Sequence, residues 1–215
     1  MRTEKVTDKI TLYNCDCMEY MKGIPDNYYD LAICDPPYRD NKDNQPTKDM
    51  RLNGGMKQWV DKPDDTYFKE LFRISKNQII WGANNFEGLP KTEYFIVWNK
   101  EQTVENFASA EYAWTNCKMP AKVFTYSIHK TMADRKEAGG KIHPTQKPVK
   151  LYEWLLKNYA KPTDKILDTH FGSCSIGIAC HNFGCQLDAC EIDEEYFDKA
   201  YKRLRMHVRQ LDLFK

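Results

Sequence analysis

Short apolar runs alternate with amphipathic stretches along this chain, and the alternation predicts an α/β fold. Ile10–Asn14 and Tyr29–Cys34 are apolar runs of strand length. Between them, apolar residues recur at helical spacing, at Met18, Met21 and Ile24. A strand, a short helix and a second strand form the βαβ unit of parallel sheets. We therefore expect a mostly parallel sheet with helices on both faces.

The later part of the chain repeats this pattern. Lys165–Leu167 predicts a short strand, Ile176–Phe183 a helix and Gln186–Cys190 another strand. A strand is also predicted at Gln78–Trp81, and aromatic strands follow it at Tyr94–Trp98, Ala110–Trp114 and Val123–Tyr126. Their close spacing favours an antiparallel edge on the sheet.

Composition and charge are those of an ordinary globular chain. Its 215 residues suit a single domain, residues 1–215. No run approaches the ~20 apolar residues of a membrane span, and Met1–Lys9 is too polar for a secretion signal. We therefore expect a cytoplasmic protein. Its eight cysteines would be reduced thiols, and their spacing predicts no metal site.

Two polar stretches are predicted to contact a substrate. Residues 39–63 lack a hydrophobic period, which favours a mobile loop that closes over a substrate. Residues 129–142 form a polar, basic connector that could serve as a minimal target-recognition segment. They lie in Lys118–Lys150, which has a local charge of +6 although the whole chain has only +1. The side chains of these stretches that would contact a nucleic acid, if the substrate is one, are Arg39, Lys42, Lys57, Trp59, Lys130, Arg135, Lys136 and Lys141.

The tetrapeptide Asp35-Pro36-Pro37-Tyr38 follows a buried-strand pattern and carries unusual chemistry. The two prolines lack backbone N–H groups, so a carbonyl can point outward beside the Asp35 carboxylate. Two acceptors next to the flat face of Tyr38 suit a planar group that bears an NH2, such as a nucleobase. The alternative is a rigid corner between a strand and a loop.

The segment from Asp168 to Glu191 predicts an adenosine site. It reads as strand, glycine-containing turn, helix and strand, and Glu191 follows Asp168 by 23 positions. Backbone N–H groups at a helix start and an acid at the next strand end hold adenosine in such units. The turn contains a single glycine, Gly172, which argues against a pyrophosphate-containing ligand.

Together these motifs resemble the β-class amino-methyltransferases, DNA methyltransferases that use S-adenosylmethionine and place the catalytic motif before the cofactor motif. The resemblance covers nearly the whole chain in one fixed order. It implies a Rossmann-like methyltransferase fold with a circularly permuted motif order. The matching stretches are Asn14–Cys17, Asp35–Tyr38, Trp98–Lys100, His143–Pro148, Asp168–Ser175, Glu191–Asp193, Tyr196-Phe197 and Arg203-Leu204.

The resemblance implies a catalytic role for the tetrapeptide Asp35-Pro36-Pro37-Tyr38. Asp35 and the Pro36 carbonyl would accept hydrogen bonds from the target amine. Tyr38 would stack on a base that has left the DNA duplex.

The resemblance also implies a cofactor site. Glu191 would bind the ribose and Asp16 the adenine edge, while Thr145 and Lys147 would meet the methionine carboxylate. The other residues of this implied site are Cys17, Asp168, Phe171, Gly172, Ser173, Cys174 and Ile192. Cys174 replaces a family glycine, so we expect it to crowd the cofactor if its backbone adopts positive φ.

The function these motifs predict is methylation of adenine N6 in double-stranded DNA. Adenine is favoured because cytosine-N4 members of the family more often begin the tetrapeptide with Ser. The alternatives are a cytosine-N4 enzyme, a methyltransferase for RNA or protein amides, and a cofactor-poor fold that only binds DNA or a partner. No large recognition domain fits the chain, so we expect a homodimer or a partner subunit.

Overall fold

A computed structural model describes residues 1–38, 61–103, 105, 108–137 and 140–212, without the side chains of 134–137 and 211–212. The predicted loop 39–63 therefore lies almost entirely outside the described residues. The described strands are β1 (Arg2–Lys5), β2 (Ile10–Asn14), β3 (Tyr29–Cys34), β4 (Ser75–Trp81), β5 (Phe95–Asn99), β6 (Ala110–Thr115), β7 (Lys122–Thr125), β8 (Lys165–Asp168) and β9 (Gln186–Glu191).

All these strands form one sheet in the order β1-β2-β9-β8-β3-β4-β6-β5-β7. The central strands β2, β9, β8, β3 and β4 run parallel. The strand β6 is antiparallel to both β4 and β5. The predicted α/β class, with its mostly parallel sheet and antiparallel edge, is confirmed.

Helices cover both faces of the sheet. The described helices are α1 (Cys17–Lys22), α2 (Asp65–Ile74), α3 (Ile128–Glu137), α4 (Val149–Tyr159), α5 (Ser175–Phe183) and α6 (Glu194–Asp212). One buried cluster joins the sheet to α4, α5 and α6, with Leu155, Ala179 and Leu204 among its members. A second cluster on the other face contains Met21 of α1 and Leu71 of α2. No helix in the described ranges is both long and apolar enough to span a bilayer.

Four local predictions need correction. The strand β7 pairs in parallel with β5, because the chain after β6 passes β5 and adds a strand on its far side. The strand β4 starts at Ser75 rather than Gln78, directly after α2. The polar N-terminal stretch contains β1, which pairs antiparallel with β2.

The fourth correction concerns the basic connector. Most of residues 129–142 lie in α3, which has a weak hydrophobic period and so gave no helical signal. Within α3, Thr131 is fully buried and its hydroxyl donates to the Ser127 carbonyl, so part of this segment is packed rather than exposed.

The topology brings chemically distinct strand ends together. Leu31 of β3 pairs with Ile166 of β8, and Asp168 at the end of β8 pairs with Ala189 of β9. Asn14 of β2 pairs with Glu191 at the end of β9. Ligands bind parallel α/β sheets at this carboxyl edge, so the edge is the place to look for a site.

Candidate active site

The tetrapeptide Asp35-Pro36-Pro37-Tyr38 leaves the sheet at the end of β3 and folds back on itself. The Tyr38 hydroxyl donates a hydrogen bond to Asp35 Oδ1. The Asp35 side chain is 13% exposed, and Pro36 is buried. The structure thus brings the predicted carboxylate and the predicted aromatic ring into direct contact.

The Tyr38 ring rests on Gly82, a residue that the sequence predictions did not single out. Gly82 has φ +67°, and a Cβ built on it would lie 2.1 Å from Tyr38 Cε1. Phe86 meets the same ring edge-on at 6.3 Å between centroids. The Asn85 side chain donates to the Gly82 carbonyl at 2.8 Å and fixes the turn. The sequence signal was available, since Gly82 directly follows the apolar end of β4.

Lys147 also reaches the tetrapeptide. Its Nζ lies 2.6 Å from Asp35 Oδ2, 2.9 Å from Glu111 Oε2 and 3.2 Å from the Tyr38 hydroxyl oxygen. Lys100 in turn pairs with Glu111 at 2.5 Å. Sequence reasoning missed Glu111, which lies on β6 among aromatic and apolar residues; a charge in such a strand is the signal that could have identified it.

These charges stay ionised although they are buried. Burial by itself lowers the pKa of Lys147, but the charges of Asp35 and Glu111 raise it well above its ordinary value. Burial likewise opposes ionisation of Glu111, yet Lys147 and Lys100 bring the pKa of Glu111 to about 2. The result is a row of alternating charges that ends at Asp35.

Asp168 ends β8 beside this group and is 1% exposed. Its Oδ1 accepts a hydrogen bond from the His170 backbone N–H at 2.9 Å. Burial raises the pKa of the Asp168 carboxyl to about 8. Burial lowers the pKa of His170 to about 4, so its ring is neutral at pH 7. That ring lies 2.9 Å from the Thr169 hydroxyl and has an edge-on contact with Tyr67.

The turn after β8 faces Glu191. The Gly172 backbone N–H donates to Glu191 Oε2 at 3.0 Å, and the Asp193 N–H donates to Oε1 at 2.9 Å. Burial raises the pKa of Glu191 to about 7. Gly172 has φ +48°, and a Cβ there would lie 3.3 Å from the His143 ring. The backbone and the acid predicted to hold adenosine are therefore adjacent.

Cys174 does adopt positive φ, at +55°, which is the condition under which crowding was expected. Its side chain is nevertheless buried in the core. The Sγ atom lies 2.4 Å from the position that a Cβ on Gly177 would take, and Leu204 packs at the same place. Phe171 is also buried and contacts Phe197 at 5.9 Å between centroids. Phe171 and Cys174, two of the residues predicted to contact the cofactor, thus have their side chains in the core.

The other predicted cofactor residues lie around this turn with different exposures. Asp16 is exposed and caps α1 by accepting the Met18 N–H at 2.8 Å. Thr145 is exposed, and its hydroxyl lies 3.1 Å from His143 Nδ1. Two further predicted cofactor residues have partners that the sequence analysis did not predict. Cys17 Sγ lies 3.9 Å from His170 Nε2, and the Ser173 hydroxyl lies 3.2 Å from that of Ser175. The Ile192 side chain is exposed.

The predicted DNA contacts are only partly visible. Lys130 and Lys141 are exposed, at the start of α3 and after it. Arg135 and Lys136 belong to α3, but their side chains are not described. The remaining four, Arg39, Lys42, Lys57 and Trp59, lie outside the described residues. Within the described ranges, no cluster of His, Cys, Asp or Glu could hold a metal ion.

Comparison with known proteins decides the family. A family model described as DNA methylase, N6_N4_Mtase, matches residues 72–202. The chain belongs to the DNA methylase family. This confirms the resemblance to DNA amino-methyltransferases that use S-adenosylmethionine. The family model covers both N6 and N4 amines.

Relatives match nearly the whole chain. The type II methyltransferase M.HinfI of Haemophilus influenzae is 28% identical over 258 aligned residues, which cover 95% of this chain and 71% of the relative. M.HpaI of Haemophilus parainfluenzae is 24% identical, with 92% and 74% covered.

Solved structures share the fold. The M1.HpyAVI complex with S-adenosylmethionine matches with a TM-score of 0.59 at 22% identity, over 90% of this chain and 99% of the other. The cytosine-N4-specific PvuII DNA methyltransferase matches with a TM-score of 0.61 at 14% identity, over 97% and 92%. These matches confirm the Rossmann-like fold of the methylase.

The residues of the site fit S-adenosylmethionine. The Glu191 carboxylate is held at a strand end, where it can accept ribose hydroxyls. The Asp168 carboxyl is buried and forms no ion pair with another described residue, and the methionine ammonium would be a suitable partner.

Proposed function

We propose that this protein transfers a methyl group from S-adenosylmethionine to the N6 amine of adenine in DNA. The main support is that Asp168 and Glu191 end the strands β8 and β9, while Asp35 directly follows β3, the other neighbour of β8. An acceptor for an amine thus lies beside acceptors for the cofactor. Adenine is favoured over cytosine because the tetrapeptide begins with Asp rather than Ser.

The chemistry that Asp35 and Pro36 can supply is positioning. The aryl amine is a poor nucleophile because its lone pair is delocalised into the ring. The Asp35 carboxylate and the Pro36 carbonyl would accept both N–H bonds and favour a pyramidal nitrogen whose lone pair is free. Bound S-adenosylmethionine supplies an electrophilic methyl group on a sulfonium. Most of the acceleration would come from orientation and electrostatics.

Proton removal demands little of Asp35. The amine loses its proton only after methylation has made the nitrogen cationic, so Asp35 can act as acceptor without being a strong base. Tyr38, which rests on Gly82, would hold the target base outside the duplex. Exposed Lys130 and Lys141 would contact phosphates. A homodimer or a partner subunit stays a prediction.

A methyl-transfer assay with defined products tests this proposal. The protein is incubated with double-stranded DNA and tritiated S-adenosylmethionine, and the DNA is digested to nucleosides for mass spectrometry. We expect N6-methyldeoxyadenosine. Methyl on cytosine N4 would instead support the alternative specificity, and label on RNA or protein but not on DNA would contradict the proposal.

The matched variants are Asp35→Asn and Asp198→Asn. Asparagine at position 35 keeps the shape but loses the charge, so turnover should fall at least about 100-fold. Calorimetry should find affinity for S-adenosylmethionine within about threefold of wild type, since Asp35 is assigned no cofactor contact. Asp198 is exposed and pairs with Arg2 away from the site, so its variant should turn over normally. Normal turnover by Asp35→Asn would refute the mechanism.

A further inference from the structure

The resemblance implies that Lys147 meets the methionine carboxylate, but the structure gives its ammonium other partners. The Lys147 side chain is 4% exposed, and Nζ contacts Asp35, Glu111 and the Tyr38 hydroxyl within 3.2 Å. Nζ also lies 5.5 Å from the centre of the Trp81 ring. The ammonium therefore sits in a closed set of contacts around the catalytic tetrapeptide.

The backbone of Lys147 is anchored, which fixes where the side chain can reach. The Ser175 hydroxyl donates to the Lys147 carbonyl at 2.8 Å. Arg203 Nη1 in turn lies 3.1 Å from that hydroxyl and donates to the Ser173 carbonyl at 2.8 Å. Pro148 then opens α4 directly after Lys147. The lysine therefore extends from a fixed point between α4 and α5.

Glu111 holds the far side of the ammonium. It lies on β6, two strands away from β3, and Lys100 pairs with its other oxygen at 2.5 Å. Removing one partner of a buried ion pair leaves an uncompensated charge, which is strongly unfavourable. Lys100 and Glu111 together therefore keep the ammonium where it meets Asp35.

The consequence for Asp35 is a defined carboxylate plane. Oδ1 accepts the Tyr38 hydroxyl and Oδ2 accepts Lys147. With one lone pair of each oxygen engaged, the remaining lone pairs have fixed directions. A carboxylate held by two donors loses little orientational freedom when an amine arrives, and such pre-organisation accelerates reactions that depend on alignment.

We propose that Lys147, retained by Glu111, is a positioning residue for Asp35 and Tyr38 rather than a ligand of the cofactor carboxylate. This inference rests on the proposed function, because it assumes that Asp35 receives the target amine. Glu111 thereby gains a role in methyl transfer through Lys147, although it touches neither substrate nor Asp35.

Separate measurements of binding and turnover test the proposal. The variants are Lys147→Met, Glu111→Gln and Glu111→Asp, assayed for turnover at saturating substrates, for the KM of DNA, and for S-adenosylmethionine affinity by calorimetry. We expect Lys147→Met to lose about 100-fold in turnover and Glu111→Gln about tenfold, with cofactor affinity within about threefold. Glu111→Asp keeps the charge and should recover part of the loss.

The opposite pattern would overturn the proposal. If Lys147→Met weakened cofactor affinity more than about 30-fold while turnover at saturation stayed within about threefold, Lys147 would be a cofactor ligand. Normal turnover in both Lys147→Met and Glu111→Gln would also refute it. If Lys147→Met does not fold, the double variant with Glu111→Gln leaves fewer unpaired buried carboxylates and is assayed instead, with the same two patterns deciding.

The two proposals fail differently. A wild-type protein that methylates no DNA would refute the proposed function and this inference together. A wild-type protein that methylates DNA, beside a Lys147→Met variant with normal turnover, would refute the role of Lys147 alone.

Discussion

At the scale of single residues, the site is built from carboxyl groups in unlike surroundings. Glu111 is flanked by two lysines and stays charged, whereas Asp168 and Glu191 are buried and have raised pKa values of about 8 and 7. Asp168 and Glu191 are the acids assigned to the cofactor. Their surroundings therefore favour the neutral form until a ligand supplies compensating groups.

This difference predicts how stability of the free protein changes with pH. An acid with a raised pKa stabilises the fold at low pH, and that contribution disappears as pH rises through the folded pKa. His143 and His170 are partly buried and have lowered pKa values of about 4, so stability is lost as pH falls from 6.5 towards 4. Above pH 6.5, only Asp168 and Glu191 among these four groups still affect the pH dependence. The free energy of unfolding should therefore decrease as pH rises.

The test is Asp168→Asn in the ligand-free protein. Between pH 6.5 and 8, we expect Asp168 to remove on the order of 2 kcal/mol of unfolding free energy from the wild type. Asparagine cannot ionise, so chemical denaturation of the variant should show a much flatter decline over that range. The exposed Asp198→Asn should keep the wild-type slope. An unchanged slope in Asp168→Asn would contradict the assignment.

At the scale of elements, one glycine turn determines where the Tyr38 ring lies. Gly82, at the end of β4, combines φ +67° with a Tyr38 ring where a Cβ would stand. Gly82→Ala should displace Tyr38 and reduce turnover at least about tenfold, while cofactor affinity stays within about threefold. The measurements are steady-state kinetics and calorimetry.

Gly184→Ala is the matched control for this substitution. Gly184 ends α5 with φ +83°, yet a Cβ there meets nothing within 4 Å. Gly184→Ala introduces the same backbone strain as Gly82→Ala, but no aromatic ring lies where its Cβ would stand. This variant should lose about 1 kcal/mol of unfolding free energy and keep its turnover. Equal losses of turnover in the two variants would mean that strain, and not the contact with Tyr38, accounts for the effect.

The elements also show what sequence could and could not predict. The strands β2, β3, β8 and β9 carry strong apolar runs, so their positions and the residues at their ends were predictable. The α3 helix has few apolar residues, and β1 is polar, so neither gave a signal. The pairing of β7 with β5 depends on where a turn carries the chain, which no local pattern records.

The positions of the candidate site residues at strand ends were predictable from sequence, but the contacts between them were not. The tetrapeptide, Asp168, Gly172 and Glu191 were identified because each follows a recognisable strand. The contact between Lys147 and Asp35 joins positions 112 residues apart, and Glu111 reaches them from a third segment. Such contacts arise only when the sheet assembles, so motif order alone assigned Lys147 to another partner.

At the scale of the whole molecule, the sheet brings together two sets of candidate site residues that are distant in sequence. Asp35, which we propose receives the amine, directly follows β3 in the first part of the chain. The two acids proposed to bind the cofactor, Asp168 and Glu191, end β8 and β9 shortly before the helix α6. The strands β3 and β8 are neighbours, so Asp35 and Asp168 lie at the same edge of the sheet. A permuted order of motifs therefore leaves the geometry of the edge intact.

The buried charges near Asp35 have one more consequence, for the response to salt. Lys100, Glu111, Lys147 and Asp35 sum to zero, and their side chains are 4–22% exposed. Dissolved ions screen exposed charges and hardly reach buried ones.

Turnover at saturating DNA should therefore change less than about twofold between roughly 50 and 200 mM salt, while DNA affinity falls steeply as phosphate contacts release counterions. The logarithm of DNA affinity then falls linearly with the logarithm of salt concentration, with a slope of about −0.9 for each DNA phosphate that the protein contacts. A turnover that fell in parallel with affinity would show that ions reach these four charges.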